Sequence, residues 1–221
     1  MGRALSGKSD RQALTGTRTR GRPKVIPDER QRATILRETR DLFIEEGYAR
    51  ATTEKVATRS RISKRTLYRL FPSKEELFAA IIDTHRRSML DLPGDYDIIP
   101  LTDALERIFR IDLTPEEEHE RYAVLRLAII ESARFPELDA LFRQHGPEKS
   151  LSLLAEWFAR QRTLGRIVVD DVDSTAKMLM DMIFGAVTFK RKGEVDWPHG
   201  AERKAHIRRC IHVFVNGIRP R

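Results

Sequence analysis

Between Thr52 and Phe71 the chain reads TTEKVATRSRISKRTLYRLF, and this block limits the fold more than any other stretch. Thr52 or Thr53 can cap a short helix running through Ser60, with Val56 and Ala57 as its small apolar face. Arg61 and Ile62 are left for a tight turn. Ser63 can cap a second short helix, Lys64 to Phe71, which Pro72 interrupts. At ~100° per residue, Lys64, Arg65, Tyr68 and Arg69 share one face of that helix. Leu67, Leu70 and Phe71 share the other. One side is an apolar anchor; the opposite side is cationic and aromatic, with reach to base edges or phosphates. Two short helices joined by a tight turn describe a helix-turn-helix, whose second helix enters the major groove. An ordinary amphipathic helix with a solvated face is the competing reading.

The flanking sequence also reads as helix. Ile35, Leu36, Leu42 and Phe43 recur at one-face spacing and predict a helix over 28–46, with Asp28 and Glu29 at its positive end and Gly47 as its stop. Ser73-Lys74-Glu75-Glu76 has the form of a capping box opening a longer helix to about Leu90. Residues 91–100, DLPGDYDIIP, break the pattern with two prolines and a glycine. The expected division is therefore a flexible basic arm (1–26), a helix-turn-helix domain with its connecting helix (27–90) and a second helical domain (91–221). In that last part, helices are predicted over roughly 101–112, from a capping box at Thr114 towards Arg134, from Pro136 to His145, from Pro147 to near Gly165, and over 172–190 and 201–218. No strand pattern stands out, so the expected class is all-α.

Charge separates the two ends. The 221 residues carry a formal net charge of +8. Residues 1–26 hold seven basic groups and one acidic, residues 27–80 hold twelve and nine, and the remainder is close to neutral. A polyanionic partner for the front is the direct electrostatic inference, with a solvated tail equally open on composition alone. No apolar run reaches the ~18–20 residues a bilayer span requires, and the first residues lack the apolar stretch of a secretory signal. A cytoplasmic protein with no membrane partner is expected. Cys210 is the only cysteine, so there is no intrachain disulfide and no multi-cysteine zinc site.

At the residue level the resemblance is specific. Thr52–Leu77 resembles the DNA-binding domain of the TetR (tetracycline-repressor-like) family, whose block reads approximately TTxxIAxxAGVSxGTLYxxFxSKExL. Thr52, Thr53, Val56, Ala57, Ile62, Ser63, Thr66, Leu67, Tyr68, Phe71, Ser73, Lys74, Glu75 and Leu77 match it, and Gly47-Tyr48 before it matches too. Arg61 replaces the usual turn glycine, straining the turn if a positive φ is needed there. Arg65 replaces the usual glycine of the reading helix. The resemblance implies a dimeric, sequence-specific transcriptional regulator on double-stranded DNA, a repressor released from a palindromic operator by a small-molecule effector. It makes the second helical domain (91–221) the regulatory and dimerisation domain. An activator of the same fold and a nucleoid-type architectural protein are the alternatives. By the same resemblance Thr52 or Thr53, Tyr68 and Lys74 would hold phosphates, while Lys64, Arg65, Thr66 and Arg69 would read bases.

Three further features bear on this reading. Arg20-Gly21-Arg22-Pro23 resembles the core of an AT-hook, in which two arginines enter a narrow minor groove. Met178, Met182, Ile183, Phe184, Ala186, Val187 and Phe189 wrap most of one predicted helix, and Ile207, Ile211, Phe214 and Ile218 stripe the last one. The resemblance makes these a four-helix interface between two copies; internal core is the other reading. The family's small-molecule site lies in the C-terminal half, where Phe109, Tyr122, Trp157, Phe158, Met178 and Met182 would line a pocket or serve as plain core. No buried charge in the pattern announces a ligand class. Met1-Gly2 with Ser6 fits a loose N-myristoylation pattern, and His206 with Cys210 has a metal-ligand spacing, but the arm is accounted for by DNA and a packed helix end explains the pair. No Gly-rich phosphate loop, G-x-S-x-G or H-E-x-x-H occurs. Neither enzymatic activity, a cofactor nor a metal is expected.

Overall fold

The structure, a computed structural model, describes residues 27–185, 188–190, 194–196 and 199–220. Four helices come first: α1 (Asp28–Glu46), α2 (Thr53–Arg59), α3 (Lys64–Leu70) and α4 (Lys74–Met89). Six more follow: α5 (Leu101–Ile108), α6 (Pro115–Ser132), α7 (Pro136–His145), α8 (Pro147–Thr163), α9 (Val172–Phe184) and α10 (Gly200–Ile218). Their starts are set by local chemistry. The Thr52, Ser63 and Ser73 side chains accept from Lys55, Thr66 and Glu76 N–H groups, and Thr114 with Glu117 forms both halves of a capping box.

The all-α class holds, with one small exception. The helix expected over 172–190 ends at Phe184, and Thr188–Lys190 pairs antiparallel with Glu194–Asp196 as a two-stranded hairpin, Phe189 opposite Val195. Val187, Thr188 and Phe189 are β-branched or aromatic and follow Gly185, so local preference there favours strand over helix. The helix expected over 101–112 stops at Ile108, because the chain turns left-handed at Arg110 (φ 45°).

Two apolar cores organise these elements. The first joins Ile35, Leu42 and Phe43 of α1 with Val56, Leu67, Phe71, Phe78 and Ile82, and takes in Val124, Leu127 and Ala128 of α6 and Leu138 of α7. The second is built by α5, α8, α9 and α10 around Trp157, Phe158, Phe109 and Leu179. Each fully buried large side chain contributes about 1.5–3 kcal/mol. Because α6 and α7 enter the first core, α1 and α4, the helices that support α2 and α3, are packed directly on the C-terminal helices. The segment before α5 is held by Arg166, which donates to the carbonyls of Asp97 (2.8 Å), Tyr96 (3.4 Å) and Ile99 and to Gln161 Oε1 (2.6 Å). Among the described residues no helix is long and apolar enough to cross a membrane, and no cluster of His, Cys, Asp and Glu has a metal-binding arrangement.

Candidate nucleic-acid interface

Helix α3 is pinned by its apolar side. Leu67, Leu70 and Phe71 are buried against α1, α2 and α4. The opposite side is open: Lys64, Arg65 and Arg69 are exposed and Tyr68 is 47 % exposed. The turn before it is a Schellman closure, with Ile62 N–H donating to Ala57 O (3.0 Å) and Arg61 N–H to Thr58 O (3.1 Å). Arg61 sits at its left-handed position with φ 55°, so the glycine replaced there had a conformational reason.

Helix α1 fixes where α3 ends. Arg32 donates to Leu70 O (2.6 Å) and lies over the Phe71 ring at 4.2 Å, satisfying a carbonyl that the end of α3 leaves free. Arg69 makes a forked pair with Asp28 (2.6 and 2.8 Å), whose carboxyl that guanidinium holds below the usual range. Arg59 of α2 forks onto Glu45 and reaches Glu38, so α2 is tied to α1 as well.

The candidate DNA residues fall into three groups. Thr53 Oγ1 and Tyr68 Oη lie 3.0 Å apart, which brings the N-terminus of α2 and the outer face of α3 together. Thr52 caps α2, Thr66 Oγ1 is 2.9 Å from Ser63 Oγ, and Lys64 pairs with Glu54 at 3.0 Å. These with Arg65 share the outward side. Arg69 is the second case, at the edge and held by Asp28. Lys74 is the third: it is half-buried, donates to Tyr48 O and lies 4.0 Å from the Tyr48 ring centre. Burial pulls its ammonium below the usual lysine range. Arg20 and Arg22 lie outside the described residues.

The six candidate ligand residues do not converge. Phe109, Trp157 and Phe158 are buried in the second core, Met182 is half-buried beside it, and Met178 is 53 % exposed. Tyr122 borders only a crevice of ≈10 Å³. Larger cavities have other walls, and two of them lie at the junction of several helices. One, ≈470 Å³, lies among α4, α6, α7, α8 and α9, with Leu125, Ile129, Phe142, Met180 and Phe184 on its apolar side. The other, ≈460 Å³, lies where α1, α4 and α6 meet.

The expectation that no buried charge marks a ligand class needs correcting. Arg121 is 7 % exposed and His85 9 % exposed, and both face the α1–α4–α6 cavity. Helical spacing carried the signal. Arg121 stands at three- and four-residue intervals with Val124 and Ala128 on the buried side of α6, and His85 with Phe78, Ile81 and Ile82 on that of α4. The stripe Ile207, Ile211 and Phe214 on α10 serves the protomer's own core, because α10 packs against α5 and α9, and Ile218 lies partly buried against that core. Ala186 and Val187 lie outside the described residues, as does the side chain of Phe189.

Comparison with known proteins agrees with this architecture. The pattern of bacterial regulatory proteins of the tetR family matches residues 35–81, and that of the C-terminal domain of AefR-like transcriptional repressors matches residues 103–217. The HTH-type transcriptional regulator QacR of Staphylococcus aureus is 24 % identical over 187 residues, covering 83 % of this chain and 96 % of QacR. YvkB of Bacillus subtilis, an uncharacterized HTH-type transcriptional regulator, is 25 % identical over 157 residues, covering 68 % of this chain and 78 % of its own. Among solved structures, the flavonoid-responsive regulator FrrA superposes with a TM-score of 0.59 at 26 % identity, covering 87 % of this chain and 99 % of FrrA. With an outward cationic helix on an apolar anchor and both halves of the chain matched, this protein belongs to the tetR family of bacterial regulatory proteins and is a DNA-binding transcriptional regulator.

Proposed function

We propose that two copies of this chain grip a palindromic operator with their α3 helices in successive major grooves, and that the complex represses transcription until a small-molecule effector releases it. The observation that carries the reading is the exposed face of α3. Arg65, Tyr68 and Lys64 stand out from an anchor that leaves Leu67 no exposed surface. Arg65 and Lys64 are placed to reach base edges, where an arginine can fork onto guanine, with Thr66 and Arg69 beside them. Arg69 would exchange Asp28 for DNA. Thr52, Thr53 and Tyr68 form a hydroxyl cluster suited to phosphate at the start of α2. Lys74 joins them only by leaving the Tyr48 carbonyl. Arg20 and Arg22 would follow the adjacent minor groove. In this reading residues 1–26 are the arm, 27–90 the DNA-reading part and 91–221 the regulatory and pairing part.

The apolar cavity among α4, α6, α7, α8 and α9 is the place we assign to the effector. Its volume falls within the roughly 300–1,000 Å³ usual for ligand sites. The charged group on its α4 wall is already paired: Arg86 donates to Asp83 (3.3 Å) and to Leu92 O (3.2 Å). Helix α4 opens directly after α3 and carries Ile82, His85 and Met89 into this cavity. An occupant that moves α4 would therefore move the reading head, shifting the population away from the DNA-competent spacing. A fold shared with a flavonoid-responsive regulator supports an effector of small-molecule size.

The test is selection of bound genomic fragments by the full chain, followed by footprinting. The expected result is a two-fold symmetric site preferred by ~10³-fold or more over random DNA, lost in the Arg65→Ala/Tyr68→Ala double variant. Uniform binding to all sequences, or selection unaltered by the double variant, would refute it.

A further inference from the structure

The second large cavity lies between the N-terminal and the C-terminal helices: α1 and α4 form two of its walls, and α6 the third. Its surface is largely apolar, from Leu36, Ile81 and Val124, yet four arginines face it against two glutamates. Most of that charge is accounted for. Arg37 pairs with Glu38 (3.1 Å), and Arg40 pairs with Asp41 (2.9 Å) and Glu120 (3.5 Å). Glu117 accepts from Thr114 N–H (2.9 Å) as a helix cap and approaches Arg110 no closer than 3.9 Å.

Arg121 has no ion-pair partner within 4.0 Å among the described residues, and its Nη2 has no hydrogen-bond partner. Arg110 Nε and His85 Nε2 are likewise buried and unmatched. Leaving such a group unsatisfied costs about 1–3 kcal/mol, and more where it is charged. Three nitrogens without a protein partner, on residues lining one cavity of ≈460 Å³, leave donors free for a polar occupant. Burial, with the facing cations Arg203 and Arg110, pushes the Arg121 guanidinium down to about 10, partly offset by Glu117 and Glu118. It remains cationic at neutral pH. Burial and Arg121 bring His85 down to about 4, so its imidazole is neutral and one nitrogen carries a hydrogen to donate. Arg110 closes the end of α5, which fixes where its side chain leaves the backbone.

We infer that this junction cavity binds a small carboxylic acid as its anion, the carboxylate meeting Arg121, Arg110 and His85 and the apolar body lying on Leu36, Ile81 and Val124. A planar carboxylate offers two oxygens to a guanidinium fork, and its single charge matches one unpaired buried arginine. The apolar walls disfavour a fully hydrated polyanion such as free phosphate. Occupancy would link α1 to α6. The site shares His85 with the effector cavity and is otherwise walled by different residues, and its binding test does not depend on the effector reading.

The test is titration calorimetry on the full chain at constant ionic strength, with benzoate, phenylacetate and hexanoate, the primary amide of each, and inorganic phosphate. At least one acid should bind once per chain and about tenfold or more tighter than its amide or phosphate (≈1.4 kcal/mol). Arg121→Gln should weaken it by about tenfold or more and Arg121→Lys by less. Ala33→Trp, which narrows the exposed α1 rim without touching a buried polar group, should also weaken it; it decides the matter if Arg121→Gln does not fold. Acids that bind no better than their amides or phosphate, or binding that survives Ala33→Trp, would overturn the proposal. Operator release is read separately by DNA anisotropy, so its failure bears on the effector cavity alone.

Discussion

Among the described residues, two arginines occupy backbone conformations in which glycine would be unstrained. Arg61 (φ 55°) closes α2 and Arg110 (φ 45°) closes α5, each through the same pair of carbonyl contacts that Gly165 (φ 69°) makes at the end of α8. A left-handed L-residue costs roughly 1–2 kcal/mol, and glycine returns part of that through its greater freedom when unfolded. Arg61→Gly should therefore stabilise the protein by about 0.5–1 kcal/mol, measured as a higher urea midpoint at unchanged slope. A midpoint that falls would mean the Arg61 side chain contributes more to stability than its backbone costs. Arg61 is exposed and cationic and lies next to the start of α3. The position was legible in the sequence because the residue departs from a turn pattern with a known geometric demand. The partners of Arg69 and Lys74 were not. Asp28 is 41 positions from Arg69, and the Tyr48 carbonyl belongs to a loop whose path depends on the first core.

At the scale of elements, caps and breakers were the readable part. α1 ends at Gly47 and α6 starts on Thr114-Pro115 as local chemistry requires. α9 was overrun because Gly185 is tolerated within helical patterns, and a three-residue strand has too few positions to show alternation. The connection 91–100 read only as a break. Its conformation is set by Arg166, which lies about seventy positions later and gathers three of its carbonyls. Arg166→Ala leaves those acceptors and the Gln161 amide oxygen without this cation, and Gln161 has no exposed surface. The expected loss is about 2–4 kcal/mol in urea unfolding, with faster amide exchange confined first to 91–100 and the end of α8. A change below about 0.5 kcal/mol, the range of ordinary surface substitutions, would show that the segment is held by its apolar contacts alone.

For the whole molecule the question is which surface joins two copies. The apolar stripe of α10 is committed inward, so a pairing surface on the last two helices must use what they leave outside. The large apolar side chains exposed there are Met178 on α9 (53 %) and Val213 on α10 (63 %), with Met182 half-buried and the Met182 carbonyl within 3.2 Å of His206 Nε2. A stable dimer needs roughly 1,200–2,000 Å² of buried surface, and charge at its apolar centre is poorly tolerated. Met178→Arg with Val213→Arg should therefore give a particle with the mass of one chain by light scattering. Its urea midpoint measured as a monomer should be nearly unaltered, because neither side chain supports the protomer's core. Operator affinity should fall by about 10²–10⁴, the gain that linking two half-site contacts supplies. Ile211→Ala is the contrasting variant: Ile211 has no exposed surface, so it should cost the protomer itself about 2–5 kcal/mol. A double-arginine variant that stays dimeric would move the interface off α9 and α10. The spacing of the two α3 helices, and with it the half-site separation, would then have to be rebuilt from another face.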